Sequence, residues 1–395
     1  MYKKLKANIV FPVSASPIEN GVIVLDENNI IQKIDKSKNF DETELQNFDG
    51  FLVPGFVNAH CHLELSHLKN IAQTGTGLVD FIGQVVKNRN HEQEIIQQKI
   101  YDAEQEMIKT GIVAVGDISN ATDTFAQKQK GNLHYYTFVE YFDMFQEKNT
   151  QPTIQQYDDV YQQLEENEQN RKSKVPHAPY SVSPKLFDYL INTFENNTAK
   201  TISIHNQETI SEDALFLNKK GDFIPFYKKL NYTLEQIPVH LRSIHYALQF
   251  LKPHHRNLFV HNTCTTKDDI LLADKKLGRQ NTFWCTCPNA NLYIENTLPD
   301  YTNFLETQAQ VCIGTDSLTS NWQLNTLEEI KTILKYCSYI DFETVLTWAT
   351  TNGAKALGWQ EKFGTLAIGK SPGIVFINNT NGNSITQQSE ARRIL

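Results

Sequence analysis

His60-Cys61-His62 follows the apolar run Phe51-Leu52-Val53-Pro54-Gly55-Phe56-Val57, and residues two apart on an extended chain point to the same side. Both imidazoles can therefore reach one metal ion. A lone His-x-His is weak evidence, but further placements strengthen it. Ile202-Ser203-Ile204-His205 with Glu208 puts an imidazole at the end of an apolar run and a carboxylate one turn later, a spacing that suits a ligand and a proton carrier sharing a pocket. Cys312-Ile313-Gly314-Thr315-Asp316-Ser317 brings a carboxylate out of another apolar run, where a buried charge without a cation is costly. With His60, His62 and His205, Asp316 completes a donor set of three nitrogens and one oxygen, leaving room for water as catalytic zinc sites do.

His261, in Leu258-Phe259-Val260-His261-Asn262, reads equally as an inner ligand or as a hydrogen-bond donor to the attacking water or the substrate. His177, in the rigid turn Val175-Pro176-His177-Ala178-Pro179-Tyr180, can orient a substrate, and so can Ser317, Asn321 and Trp322 just beyond Asp316. His67, His91, His134, His240, His245, His254 and His255 lack strand-end placement and read as surface or structural. Cys285-Thr286-Cys287 has one intervening residue, too few for a Cys-x-x-Cys zinc knuckle, and no second pair follows. These cysteines read as buried free thiols.

Eight β-branched or aromatic runs alternate with helical stretches and position these groups: Phe51–Asn58, Ile112–Ile118, Tyr135–Tyr141, Lys174–Pro176, Thr201–Ile204, Leu258–Val260, Thr282–Cys285 and Val311–Ile313. Gln97–Thr110 and Leu327–Tyr339 are amphipathic segments between them. The alternation predicts an α/β fold, a (β/α)₈ TIM barrel over residues 51–361, with its chemistry at the carboxyl ends of the strands. The short strand-like runs of residues 1–50 and 362–395 are too few to bury a face separately and are expected to combine into one small β domain. The tail beyond about Arg392 is expected to fray.

Composition narrows the function classes. With 40% hydrophobic and 21% charged residues, the chain should fold as an ordinary globular protein. A net charge of −8 and the absence of a basic stripe remove the electrostatic attraction that nucleic-acid binding needs. No apolar run approaches a bilayer span, and the start carries no convincing signal segment. Six cysteines in 395 residues argue against a secreted disulfide framework, so the expectation is a cytoplasmic protein with a small-molecule substrate.

Pro54-Gly55-Phe56-Val57-Asn58-Ala59-His60-Cys61-His62-Leu63, His177-Ala178-Pro179-Tyr180, His205-x-x-Glu208, Cys287-Pro288-x-x-Asn291 and Gly314-Thr315-Asp316-Ser317 together resemble the amidohydrolase superfamily, in its cytosine deaminase and chlorohydrolase-like branch. The resemblance covers nearly the whole chain and implies a composite β-sandwich formed by the two termini. It implies one divalent ion, Zn²⁺ or Fe²⁺, on His60, His62, His205 and Asp316, with Glu208 as proton carrier and His261 as electrophilic partner. Binuclear branches add a bridging lysine after the fourth strand. Here Lys174 lies within the strand and His177 follows it, which favours a single ion. The tail Gly369-Lys370-Ser371-Pro372-Gly373 departs from the acidic Gly-Lys-x-Ala-Asp common in the branch.

The implied reaction is hydrolytic deamination of an aminated heterocycle, with adenosine-type nucleosides such as S-adenosylhomocysteine, methylthioadenosine or aminodeoxyfutalosine as candidate substrates. The metal would make hydroxide available near neutral pH, and Asp316 would take the water's proton. Cyclic-amide hydrolysis or dechlorination would use the same attack with another leaving group, and a metal-containing binding protein without catalysis is a third reading. The segment Ser211–Leu251 is expected to supply a lid or pocket wall, and a homo-oligomer, most simply a dimer, is the expected assembly.

Overall fold

The structure is a computed structural model that describes residues 2–194, 200–239 and 242–395. Eight parallel strands form two four-stranded sheets. One contains Phe56–Cys61, Ile112–Ile118, His134–Tyr141 and Asn170–Pro176 in that spatial order. The other contains Thr201–Asn206, Arg256–His261, Thr282–Thr286 and Gln310–Ile313. Most of their residues are buried, which is why they read as nearly continuous apolar runs rather than as alternating ones. Helices such as Gln93–Lys109, Glu147–Gln163 and Lys267–Leu277 make the crossovers, and Thr326–Tyr336 follows the last barrel strand.

The two sheets meet at two seams. At one, Cys61 bridges Asp316, and the N–H groups of Thr315 and Asp316 donate to the carbonyl oxygen of His60 at 3.0 and 3.1 Å. At the other, His205 N–H donates to the carbonyl oxygen of His177 at 2.9 Å. These bonds close the (β/α)₈ barrel at its carboxyl end.

Both termini contribute to a separate six-stranded sheet, ordered Ala391–Arg393, Ile374–Ile377, Gln46–Pro54, Lys3–Val10, Ile18–Leu25 and Ile31–Lys36. Leu5, Val10, Ile23, Leu25, Phe48, Leu52 and Ile374 pack its own core. Two expectations change here. The run Phe51–Asn58 is not one barrel strand: Gln46–Pro54 belongs to the terminal sheet, and the barrel begins at Phe56. Gly55 separates them where a Cβ would come within 2.4 Å of Val113 Cγ1 and 2.7 Å of the Pro372 carbonyl oxygen. The tail is held rather than frayed, because Ala391–Arg393 pairs with Ile374–Ile377 and Ile394 N–H donates to the Ile374 carbonyl at 2.9 Å. Among the described residues no helix is long and apolar enough to cross a membrane.

A buried ion pair supports the turn after the first barrel strand. Asp117 Oδ1 accepts the Leu63 N–H at 2.8 Å, and its Oδ2 meets Lys128 Nζ at 2.6 Å. Lys128 also donates to Ser119 and Thr137, and both charged side chains are fully buried. Removing one charge strands the other. Lys128→Met should lower the unfolding free energy by about 3–5 kcal/mol in denaturant titrations, and adding Asp117→Asn should recover much of that loss.

Candidate active site

His60 and His62 end the first barrel strand, His205 lies near the end of the fifth, His261 ends the sixth, and Asp316 follows the eighth. The backbone is left-handed at Gln207, His261 and Asp316, with φ of 45°, 72° and 55°. Such strained positions in residues other than glycine are characteristic of functional sites, where surrounding structure enforces them. Here they turn three chain segments toward one point at the barrel mouth.

His60 is fully buried, yet neither ring nitrogen has a hydrogen-bond partner among the described residues. An unpaired buried imidazole is costly unless something else satisfies it. His62 Nε2 lies 3.3 Å from His205 Nε2 and 3.5 Å from Asp316 Oδ1, and His60 Nε2 lies 3.8 Å from Asp316 Oδ1. Donors roughly 2.0–2.1 Å from one tetrahedral ion stand about 3.4 Å from each other, so this set fits a divalent cation. His261 approaches the same point, grouping with His60 and His205.

Neighbouring groups hold the donors in orientation. Ser320 Oγ donates to Asp316 Oδ2 at 2.6 Å, leaving Oδ1 toward the histidines. His205 Nδ1 faces two acceptors, Glu140 Oε1 at 3.1 Å and the His177 carbonyl at 3.0 Å, so this nitrogen carries the hydrogen and Nε2 turns its lone pair to the cluster. The same logic applies to His261, whose Nδ1 is 3.0 Å from Asn291 Oδ1. His261 Nε2 is 3.7 Å from Glu208 Oε1. Glu212 accepts the backbone N–H groups of Gln207 at 3.0 Å and Glu208 at 3.3 Å, pinning the turn that presents Glu208.

Burial pushes the Glu208 carboxyl well above the ordinary range. His205 opposes this, while Asp316, Glu295 and Glu212 reinforce it. Burial lowers His177 and His261 to about 4, keeping both rings neutral at pH 7. Burial alone would raise Glu140, but His205 and His177 pull it down to about 2. Burial alone would lower His205, but Glu140 raises it, so the proton between them belongs to the imidazole.

These groups form one end of a cavity of about 170 Å³. Leu78, Phe81, Ile82 and Val85, at helical spacing on Leu78–Asn88, build an apolar wall, joined by Phe226 from Phe223–Lys229. His177 and Ser317 line the cavity, whereas Asn321 and Trp322 do not. Asn321 is turned inward, donating to the Thr315 carbonyl and to Glu329 at 2.7 Å each, so it braces the Asp316 loop. Trp322 is 47% exposed and packs against Tyr293. His67 is absent from the cavity lining and meets the Arg89 carbonyl instead, while His240 lies outside the described residues.

Sequence reasoning passed over Glu64, Arg89, Asn120 and Glu140, all of which line the cavity. Arg89 is paired with Glu64, whose other oxygen accepts the N–H groups of Asn120 and Ala121. Glu140 carried a usable signal, a lone carboxylate near the end of the buried strand His134–Tyr141.

Known proteins resemble this chain in sequence and in fold. The chain is 28% identical over 318 residues to an adenosine deaminase from Helicobacter pylori, covering 78% of this chain and 74% of that protein. It is 26% identical over 380 residues to a 5'-deoxyadenosine deaminase from Methanococcus vannielii, covering 90% and 82%. The crystal structure of Helicobacter pylori aminofutalosine deaminase in complex with methylthio-coformycin superposes with a TM-score of 0.81 over 100% of both chains at 22% identity, a likeness of fold. Residues 51–393 match the model of the Amidohydrolase family. The chain belongs to the Amidohydrolase family and is a metal-dependent hydrolase of C–N bonds other than peptide bonds.

Proposed function

We propose that this hydrolase deaminates an adenosine-type nucleoside, releasing ammonia. The observation that carries the reading is a buried carboxyl, Glu208, pushed above its ordinary range by burial and lying beside His261 at the polar end of a cavity that Asp316 also lines. A purine 6-amino centre needs that pairing: an acid for the adjacent ring nitrogen and a base for water. His60, His62, His205 and Asp316 would hold one divalent ion per chain, Zn²⁺ ahead of Fe²⁺ for a three-nitrogen, one-oxygen set.

When bound, the ion supplies a water acidic enough to attack at neutral pH. Glu208 gives its proton to the ring nitrogen next to the amino-bearing carbon, making that carbon electrophilic. Asp316 takes a proton from the attacking water. His261, neutral and with its Nε2 lone pair free, accepts a hydrogen bond from the attacking oxygen as it adds. The proton on Asp316 then goes to the amino group, which leaves as ammonia, and the new hydroxyl returns its proton to Glu208 as the carbonyl forms. His177 orients the heterocycle from the opposite side, and Ser317 contacts it near Asp316.

The cavity favours a nucleoside over a nucleotide. Arg89 is the single Lys or Arg that lines it among the described residues, and Glu64 already neutralises that charge. The helix Leu78–Asn88 offers an apolar surface for an uncharged 5' substituent. As in the relatives, the proposal is for catalysis on a small molecule, and it takes the enzyme as a cytoplasmic homo-oligomer.

An ammonia-release assay on metal-reconstituted protein tests the reading with adenosine, 5'-deoxyadenosine, methylthioadenosine, AMP, guanine and a chlorotriazine. The adenosine-type nucleosides should be turned over, with AMP at least about tenfold poorer in kcat/KM because its phosphate meets no free cation. Chloride release without ammonia would overturn it. Glu208→Gln should lower kcat about 10²–10⁴-fold at unchanged metal content, and retention of full kcat would refute its role as proton carrier. Glu140→Gln should weaken metal binding about 10–100-fold in a chelator competition, because His205 loses its charged acceptor.

A further inference from the structure

Glu329, on the helix Thr326–Tyr336, is fully buried, does not line the cavity at the barrel mouth and forms no ion pair among the described residues. It meets two loops of the site instead. Its Oε2 accepts the backbone N–H of Asn289 at 2.9 Å, and its Oε1 accepts the side-chain N–H groups of Asn289 at 3.0 Å and Asn321 at 2.7 Å. Burial pushes the carboxyl up to about 8 against the pull of these N–H groups, so the clamp rests on two acceptor oxygens rather than on a full charge.

Each partner leads to a residue of the proposed chemistry. Asn289 is the second residue of the helix Pro288–Glu295, and the first N–H groups of a helix have no acceptor within it, so Glu329 fixes where this helix starts. Thr332, on the same face of its helix as Glu329, donates to Asn289 Oδ1 at 2.5 Å and holds the amide in that orientation. Asn291, two residues on, presents Oδ1 to His261 Nδ1 at 3.0 Å and donates from Nδ2 to the His261 carbonyl at 3.5 Å. On the other side, Asn321 Nδ2 also donates to the Thr315 carbonyl at 2.7 Å, next to the left-handed Asp316. The two loops follow different strands, Thr282–Thr286 and Gln310–Ile313, and one carboxyl holds both.

We propose that Glu329 is a positioning residue for the deamination: by clamping Asn289 and Asn321 it sets the His261 ring, through Asn291, and the Asp316 carboxylate, through Thr315, relative to each other. The inference rests on the deaminase reading for the role of His261 and on the metal-ligand reading for Asp316. In that reading His261 and Asp316 act on the same attacking oxygen, so a shift of one loop against the other costs turnover without changing what the cavity binds. Loss of the clamp also frees Asp316 to leave its orientation, and a ligand without its supporting contacts holds an ion more weakly.

Glu329→Leu, which removes both oxygens, tests this in the metal-reconstituted full chain below its unfolding midpoint. With 5'-deoxyadenosine, kcat should fall about 10²-fold while KM stays within about twofold of wild type. Affinity for Zn²⁺ in a chelator competition should fall about 10–100-fold. Glu329→Gln, which keeps one acceptor oxygen, should recover part of both losses. The two arms should separate: Asn289→Ala lowers kcat and spares Zn²⁺ affinity, whereas Asn321→Ala weakens Zn²⁺ binding, and these two variants carry the test if Glu329→Leu does not fold. Adding Asn289→Ala to Asn291→Ala should lower kcat no further than Asn291→Ala alone, because both act through His261. Full multiplication of those two effects overturns the proposal, as does wild-type kcat and Zn²⁺ affinity in folded Glu329→Leu, or in Asn289→Ala and Asn321→Ala respectively. A wild-type chain that binds Zn²⁺ and releases no ammonia fails the deaminase reading instead, and the Zn²⁺ affinities of Glu329→Leu and Asn321→Ala then decide on Glu329.

Discussion

Closure of the barrel at its carboxyl end is the constraint on which the site depends. The two half-barrels are joined there by main-chain bonds from the residues that carry the chemistry: His60 accepts from Thr315 and Asp316, and His177 accepts from His205. Asn58 reinforces the first seam from both sides, donating to Thr315 Oγ1 at 2.8 Å and accepting the Thr315 N–H at 3.0 Å. Gly314 allows the approach, since a Cβ there would lie 2.8 Å from both the Cβ and the carbonyl oxygen of His60. The imidazoles and the carboxylate are thus brought together by the bonds that complete the fold.

Orientation within the cluster comes from neighbours that differ in charge. Asn291 and Ser320 fix His261 and Asp316 with neutral hydrogen bonds, whereas Glu140 places a full negative charge behind His205. The consequence is graded donor strength. His205 is made electron-rich by its carboxylate, burial keeps the His261 ring neutral, and burial pushes the Glu208 carboxyl upward against the pull of His205.

Much of this was legible because strand-end chemistry leaves a sequence trace: an apolar run followed by a residue that such a run would not otherwise tolerate. His60, His205, His261 and Asp316 all have that form, and the structure brings them together. The first strand was misplaced because two buried strands on either side of Gly55 belong to different sheets yet read as one apolar run. Asn321 and Trp322 were drawn in by proximity to Asp316, but the chain turns there: Asn321 Oδ1 accepts the Trp322 N–H at 2.7 Å, and the indole is carried away from the cavity. Arg89 and Glu64 were invisible for another reason. Their pairing spans a helix and a loop, and nothing in the spacing of two isolated charges announces it.

What the cavity at the barrel mouth can hold is decided by whether its positive charge is already met. At the barrel mouth Arg89 is neutralised by Glu64, and that carboxylate is held in turn by two backbone N–H groups, so a ligand's phosphate would have to displace a well-satisfied partner. The remaining surface rewards burial of uncharged groups, which matches a nucleoside with an apolar extension.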